Sequence, residues 1–509
     1  MNGPITLKII ILFFFCAVNA APYDYWSLRA QILTNEQRRL FGGHLNFEHG
    51  ERVANDVLMT IKRAEFEKGF QNASLFLPAR NFLEAREDIE KSELFEIIRK
   101  MPKGAVLHTH DTAIVSADWI FRNVTFRPNL YVCETPSGLL KLQFFDRPND
   151  DCSWKLLNEL RKDKHLANRL NERIYQQMTM VMNNSSVEYD DVDKAWSKFI
   201  DIFMFITPLL TYRPVYEDHF YEGLRELYED NVMYIEIRST LPNLYELDGT
   251  IYPPNKTVAV YKEITERFKS NHPDFIGAKV IYAPARNVDG KKLDEYLTIY
   301  KALKETYSSF LAGFDLVGQE DKGEPLITFA DKLLNVDPPI DYFFHAGETN
   351  WYGSSTDKNV IDAVLLGAKR IGHGYALTKH PVVMEIVKRR GIAVEVNPIS
   401  NQVLSLVKDL RNHPAAGLFS EDFPVVVSND DPGLWGSRAL SYDFYQAFMG
   451  IMSQDSDLRA LKQLAINSIL YSNMDEEDKK NALQIWQQNW DYFIKQLITL
   501  SEVQVLVSM

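Results

Sequence analysis

The sequence has 509 residues, about three times an ordinary single domain, so it holds several domains or one large barrel with additions. Apolar residues make up 46% and charged residues 25%, which excludes a disordered, collagen-like or low-complexity chain and permits a core that needs no staples. With 56 Lys and Arg against 69 Asp and Glu the net charge is −13, unlike a nucleic-acid binder, which must neutralise phosphates. No basic block suggests a membrane surface either.

The first twenty residues read as a leader. Lys8 precedes the apolar run Ile9 to Val18, and Val18-Asn19-Ala20 offers small residues for a signal peptidase. Ten apolar residues are too few to span a bilayer, which takes ~20, so secretion is the expectation. Of three cysteines, Cys16 lies in the leader, and the remaining pair, Cys133 and Cys152, is expected to form a disulfide in an oxidising compartment. N-x-S/T sequons at Asn72, Asn123, Asn183, Asn184 and Asn255 fit a glycosylated extracellular surface.

Residues 26–100 read as helical. Val53, Val57, Ile61 and Ala64 recur at helical spacing, as do Leu94, Ile98 and Met101, and Pro102-Lys103-Gly104 ends the region. Eight short runs rich in Val, Ile, Phe and Tyr then follow: Ala105–His110, Met233–Ser239, Ile276–Ala283, Phe310–Gly318, Asp341–Glu348, Arg370–Tyr375, Ile392–Ser400 and Pro424–Asp431. Most gaps leave room for a crossover helix, such as Asp321–Pro339 and Thr378–Arg390. Eight strands alternating with helices predict an α/β fold, a (β/α)8 barrel. The first gap is too long for a crossover, so residues 123–190, with both cysteines, read as an inserted subdomain. The expected organisation is leader 1–20, helical segment 21–104 and barrel 105–509 containing that insertion.

The polar residues gather where the strands end. The first run closes on His108-Thr109-His110-Asp111, the fifth on His345-Ala346-Gly347-Glu348 and the eighth on Ser428-Asn429-Asp430-Asp431-Pro432, while the sixth contains Ile371-Gly372-His373-Gly374. Four of the eleven histidines thus lie at strand C-termini, the active-site face of such barrels. Side chains two apart on a strand point the same way, so His108 and His110 can share one interior point. Three imidazoles and a carboxylate (His108, His110, His345 and Asp430) suit one Zn²⁺ per chain with a position left for water; His373 is the fourth imidazole, opposite the first pair. A zinc finger lacks its cysteines, and a cytidine-deaminase site lacks its PCxxC run.

Together these motifs resemble those of adenosine deaminases. Tyr234-Ile235-Glu236-Ile237-Arg238 and Gly313-Phe314-Asp315-Leu316-Val317-Gly318 match in order and spacing, and the whole mature chain is similar to the secreted branch, the adenosine deaminase-related growth factors. The resemblance implies a metal-dependent hydrolase barrel that deaminates adenosine and 2′-deoxyadenosine to inosine and ammonia. It implies that Glu348 protonates purine N1 and that His373 orients, and takes a proton from, the zinc-bound water. Asp431 then hydrogen-bonds the purine, and the Gly318 amide reaches its far ring nitrogen. Asp111 contacts the ribose, and Trp196, Phe199 and Phe203 line the pocket. Departures are Ala285, where some relatives carry His, and Asn397, where Cys is frequent.

Two other readings compete with adenosine deamination. An AMP deaminase would need a glycine-rich phosphate loop or a basic cluster, neither of which is present, and Asp111 would repel a 5′-phosphate. A growth factor would bind a cell-surface receptor or glycan through 123–190, which is compatible with catalysis. The apolar stripes of the N-terminal helices, and the family likeness, predict a homodimer through that region.

Overall fold

The structure, a computed structural model, describes residues 24–508, and side chains to residue 499. The expected leader lies outside the described residues. All eight apolar runs form strands: β1 Gly104–His110, β2 Val232–Ser239, β3 Gly277–Tyr282, β4 Leu311–Phe314, β5 His345–Ala346, β6 Arg370–His373, β7 Ala393–Val396 and β8 Val425–Val427. They pair in parallel as β1 to β4 and as β5 to β8. Single bridges, Phe314 to Tyr342 and Thr109 to Asp430, join the two halves into a ring. Nearly every strand residue is buried, as expected for parallel strands covered by helices outside and side chains inside.

Some extents differ from expectation. Strand pairing in the fifth run contracts to His345–Ala346, and the end of the seventh run becomes the helix Pro398–Val403. Pro398 has no N–H for a ladder and has a φ suited to a first helical turn, so it converts strand to helix there. The helical part of the crossover after β4 is short, Ala330–Leu334.

Residues 117–190 form a unit on the barrel rim. The helix Ala117–Val124 leads into an antiparallel sheet of Leu140–Phe144, Leu130–Glu134 and Lys155–Leu156, and the Cys133–Cys152 disulfide ties the central strand to the loop before the last one. Phe144 stacks near Tyr212, 4.8 Å between ring centres, and seats the sheet on the chain returning to β2.

The N-terminal segment forms helices Tyr25–Arg39, His49–Gln71, Phe82–Ile89 and Glu93–Lys100. Leu94, Ile98 and Met101 are buried as the spacing predicts. The other stripe is rotated: Val53 stays exposed and Ala64 with it, while Glu51, Ala54, Leu58, Met59 and Lys62 face inward. Periodicity missed this face because two charged residues lie on it. Glu51 accepts from Lys462 (2.6 Å) and the Trp490 indole (2.7 Å), and Lys62 donates to the carbonyls of Ser456 (2.7 Å) and Ser453 (3.0 Å). Hydrogen-bonded in this way, the buried groups become tolerable, and burial brings the Lys62 ammonium down to about 7. This helix therefore packs against the C-terminal helix Glu476–Ser508 of its own chain, whereas Tyr25–Arg39 buries no residue.

Leu58→Ala should destabilise the fold by about 2–5 kcal/mol, whereas Val53→Ala should change stability by no more than about 0.5 kcal/mol. Denaturant unfolding of the two variants checks which stripe is the packed one.

Candidate metal and purine site

Strand β8 closes on β1 through two backbone hydrogen bonds, His110 N–H to the Asp430 carbonyl (2.9 Å) and Asp430 N–H to the His108 carbonyl (3.1 Å). That seam brings the first and last ligand motifs side by side. One ligand atom each from His108, His110, His345 and Asp430 lies within 4.8 Å of every other, the set expected from the strand ends.

The rings are oriented from behind. His108 Nδ1 meets Glu395 Oε2 at 2.7 Å, and His345 Nδ1 meets Asp315 Oδ2 at 2.6 Å. A carboxylate only accepts, so each neutral ring carries its hydrogen on Nδ1 and points an Nε2 lone pair inward. Those two Nε2 atoms are 3.1 Å apart, and Asp430 Oδ1 lies 3.2 Å from His108 Nε2 and 3.1 Å from His110 Nε2 with no hydrogen bond of its own. Lone pairs and a carboxylate oxygen converging this tightly repel one another unless a cation binds them together. Three imidazoles and a carboxylate fit Zn²⁺.

Arg238 spans both carboxylates, donating to Asp315 (2.8 Å) and Glu395 (2.7 Å) and to the carbonyls of Leu107 and Phe343, both 3.0 Å. Arg370 donates to Glu395 and to Glu236, each at 2.6 Å. Burial would raise the pKa of Asp315, but His345 and Arg238 outweigh it and hold the carboxyl far below the usual range. Glu395 is likewise depressed, by Arg238 and Arg370 against its burial. Burial holds the His345 ring neutral, down to about 3.

Glu348 lines the same cavity, 3.6 Å from His373. Burial, then the nearby carboxylates of Asp430 and Glu320, push its pKa well above the ordinary value, which favours the protonated acid. Glu320 was not singled out in the sequence. It fixes the turn that carries Glu348 by accepting from the Gly347 and Glu348 amides (2.8 and 2.6 Å), and Asn359 (2.6 Å) and Arg286 (3.4 Å) hold it in turn. Burial and then Asp430 also push Asp431 up, whereas the Asp430 carboxyl moves the other way, well below the usual range.

His373 lies 3.5 Å from Asp430 and 3.6 Å from Glu348, and burial keeps it neutral. Its tautomer is set by a relay. The Ala415 N–H donates to His413 Nδ1 (3.1 Å), so His413 donates from Nε2 to Asn401 Oδ1 (2.9 Å), and Asn401 Nδ2 donates to His373 Nδ1 (3.0 Å). The relay favours the His373 hydrogen on Nε2, the nitrogen facing Asp430; Asn397 Nδ2, itself a donor, lies 3.5 Å from that nitrogen, and its Oδ1 has no partner. This geometry places the ring beside the candidate ligands, where it can orient a bound water. It also makes Asn397 a neighbour of His373. Both His373 and Asp430 hold positive φ, 59° and 58°, which is uncommon for non-glycine residues.

A cavity of about 430 Å³ opens in front of these groups. Trp196, Phe199 and Phe203 line one wall from a single face of the helix Val192–Leu210, with successive ring centres 5.1 and 4.9 Å apart. Gly318 lines the other side with φ +115°, and a Cβ there would project into open space. Asp111 also lines the cavity, but its carboxylate is already engaged. Oδ2 accepts from Ser239 (2.6 Å), Tyr261 (2.6 Å) and Tyr216 (3.2 Å), and Oδ1 accepts from Thr112 N–H (2.7 Å) and Thr112 Oγ1 (3.2 Å). The tyrosines had no sequence signal, because they come from helices outside the barrel.

The chain matches the family described as Adenosine deaminase over residues 164–487 and the one described as Adenosine/AMP deaminase N-terminal over residues 12–98. It belongs to the adenosine deaminase family. An adenosine deaminase of Phlebotomus duboscqi is 46% identical over 92% of each chain, and adenosine deaminase 2 of Homo sapiens is 43% identical over 92% of this chain and 93% of its own. In fold the chain is similar to an amidohydrolase from Burkholderia ambifaria solved with bound Zn, at TM-score 0.55 and 20% identity, covering 80% of this chain and 95% of that one. An adenine deaminase from Arthrobacter aurescens gives TM-score 0.54 at 18% identity, covering 76% and 98%.

Glu395→Gln tests the support behind the rings. It weakens the acceptor of His108 and leaves two buried guanidiniums short of charge, so metal affinity should fall about 10- to 100-fold and stability by about 3–5 kcal/mol. Chelator competition and thermal unfolding measure the two effects.

Proposed function

We propose that this protein is a secreted zinc enzyme, with one ion per chain, that hydrolyses adenosine and 2′-deoxyadenosine to inosine and ammonia and so lowers extracellular adenosine. The observation that carries the reading is one cavity whose lining joins Glu348, a carboxyl that burial pushes well above its ordinary pKa, to the cluster of four convergent ligand atoms. His108, His110, His345 and Asp430 would hold the metal, which when bound lowers the pKa of water from ~15.7 towards ~7 and so makes hydroxide available at neutral pH.

The chain's own residues do the rest. Glu348 donates its proton to purine N1, making C6 electrophilic, and the buried site keeps that proton on the carboxyl until the base arrives. Asp431 and the Gly318 amide hold the purine edge, and Trp196, Phe199 and Phe203 cover its faces and exclude water. His373, fixed by Asn401, orients the attacking water with a hydrogen bond. A nucleoside fits better than a nucleotide. The one Arg or Lys lining the cavity among the described residues is Arg238, and its guanidinium is committed to Asp315 and Glu395.

Secretion is supported by the Cys133–Cys152 disulfide and by the exposure of Asn72, Asn123, Asn183, Asn184 and Asn255. Among the described residues no helix is long and apolar enough to cross a membrane. The 123–190 insertion contributes no ligand to the metal site and is free to contact a receptor or glycan, giving a route to growth-factor activity. A homodimer through the N-terminus is favoured by helix Tyr25–Arg39, which exposes Trp26 (75%) and Ile32 (59%).

Metal removal should abolish adenosine turnover, and one equivalent of Zn²⁺ should restore it. Glu348→Gln should retain zinc yet lose ~10²–10⁴-fold in rate, since an amide cannot deliver the proton. Loss of adenosine absorbance with the metal-stripped, reconstituted and variant proteins is the assay, with AMP as the competing substrate. A loss below tenfold would remove Glu348 from the role, and turnover of AMP above adenosine would favour the nucleotide reading. Removing residues 21–39 should convert a dimer to a monomer by light scattering without loss of activity.

A further inference from the structure

The residues lining the cavity differ sharply in how their polar atoms are satisfied. Among the described residues, three lining side chains carry a buried polar atom with no hydrogen bond: Asp430, Asp431 and His219. The first two belong to the metal and purine parts of the site. His219 belongs to neither. It lies on the helix Arg213–Glu229, one turn beyond Tyr216, so both side chains occupy the same face, and Tyr216 touches Asp111.

His219 is 3% exposed, its ring edge facing Trp119 with 6.3 Å between centres, and its Nε2 has no partner. Burial keeps the imidazole neutral, down to about 3, so it offers one donor and one acceptor rather than a charge. An unpaired buried polar atom is costly, and a phenyl ring would fill the same space without that penalty. Asp111, the other polar group at this end, already accepts from five donor contacts and has little left for a ligand.

We propose that His219 is a specificity-determining residue that hydrogen-bonds a hydroxyl of the substrate's sugar, while Asp111 acts as the anchor that positions Tyr216, Tyr261 and Ser239 around it. A sugar hydroxyl both donates and accepts, which matches a neutral imidazole, whereas a phosphate would require a cation. The inference rests on the nucleoside reading above. It adds the residue that distinguishes one sugar from another.

The test uses the purified zinc-loaded full chain with adenosine and its 2′-deoxy, 3′-deoxy and 5′-deoxy analogues, in the wild type, His219→Phe and His219→Gln. In the wild type, removing one of the three hydroxyls should lower kcat/KM by about 10- to 100-fold. His219→Phe should lose a similar factor on adenosine and almost nothing further on that analogue, while its losses on the other two match its loss on adenosine. His219→Gln, which keeps a donor and an acceptor, should recover part of the difference. The proposal fails if His219→Phe leaves adenosine turnover unchanged, or if it lowers all four substrates equally, which marks a structural role. It fails as well if no hydroxyl matters in the wild type. Should His219→Phe not fold, the same ratios in His219→Gln and His219→Asn decide. Calorimetric binding of purine riboside to metal-free wild type and His219 variants provides a readout independent of turnover. A wild type that does not deaminate adenosine overturns the proposed activity, whereas a wild type that does so with flat ratios overturns only the role of His219.

Discussion

The site depends on a buried salt-bridge lattice in the barrel interior. Arg238 and Arg370 lie between Asp315, Glu395 and Glu236, all of them out of water. Buried charges survive only when geometry satisfies every lone pair and proton, and here each guanidinium donates to two carboxylates and to backbone carbonyls. The oxygens that accept from Arg238, Glu395 Oε2 and Asp315 Oδ2, also hold the Nδ1 atoms of His108 and His345. The lattice thus fixes the direction of the ligand lone pairs before any metal arrives, which is the preorganisation that a catalytic metal requires.

From that base the cavity separates opposing electrostatic demands. Among the clustered histidines the Asp430 carboxyl is held below its ordinary pKa, while close by burial, and then the accumulated negative charge, push that of Glu348 up. One buried carboxylate raises the pKa of the next, so acid and ligand roles are assigned by position rather than by residue type. Asn401 and His413 add the same kind of control for His373, through hydrogen-bond direction instead of charge.

The peripheral elements have separable tasks. The helix Val192–Leu210 gives an apolar wall, and the disulfide-bearing sheet rests beside it without reaching the ligands. The helix His49–Gln71 is part of the body of the fold, anchored by Glu51 and Lys62, so the segment free to meet another chain is Tyr25–Arg39.

The sequence by itself determined the eight strands, since short β-branched and aromatic runs with helix-length gaps have few other solutions. It also pointed to the four side chains that the structure gathers within 4.8 Å and to Glu348 beside them, because in a parallel barrel strand C-termini converge whatever the loops do. The pairing of Cys133 with Cys152 was equally legible. What only the tertiary structure decided were the contacts made between elements far apart in the chain: the buried face of His49–Gln71, hidden by its charged members; the hold of Glu320 on the Glu348 turn; the relay through Asn401 and His413; and the cluster of Tyr216, Tyr261 and Ser239 on Asp111. A linear pattern reports which way a side chain points from its own strand or helix. It cannot report which polar group waits across the barrel, because hydrogen-bond partners are set by three-dimensional packing and leave no period in the sequence.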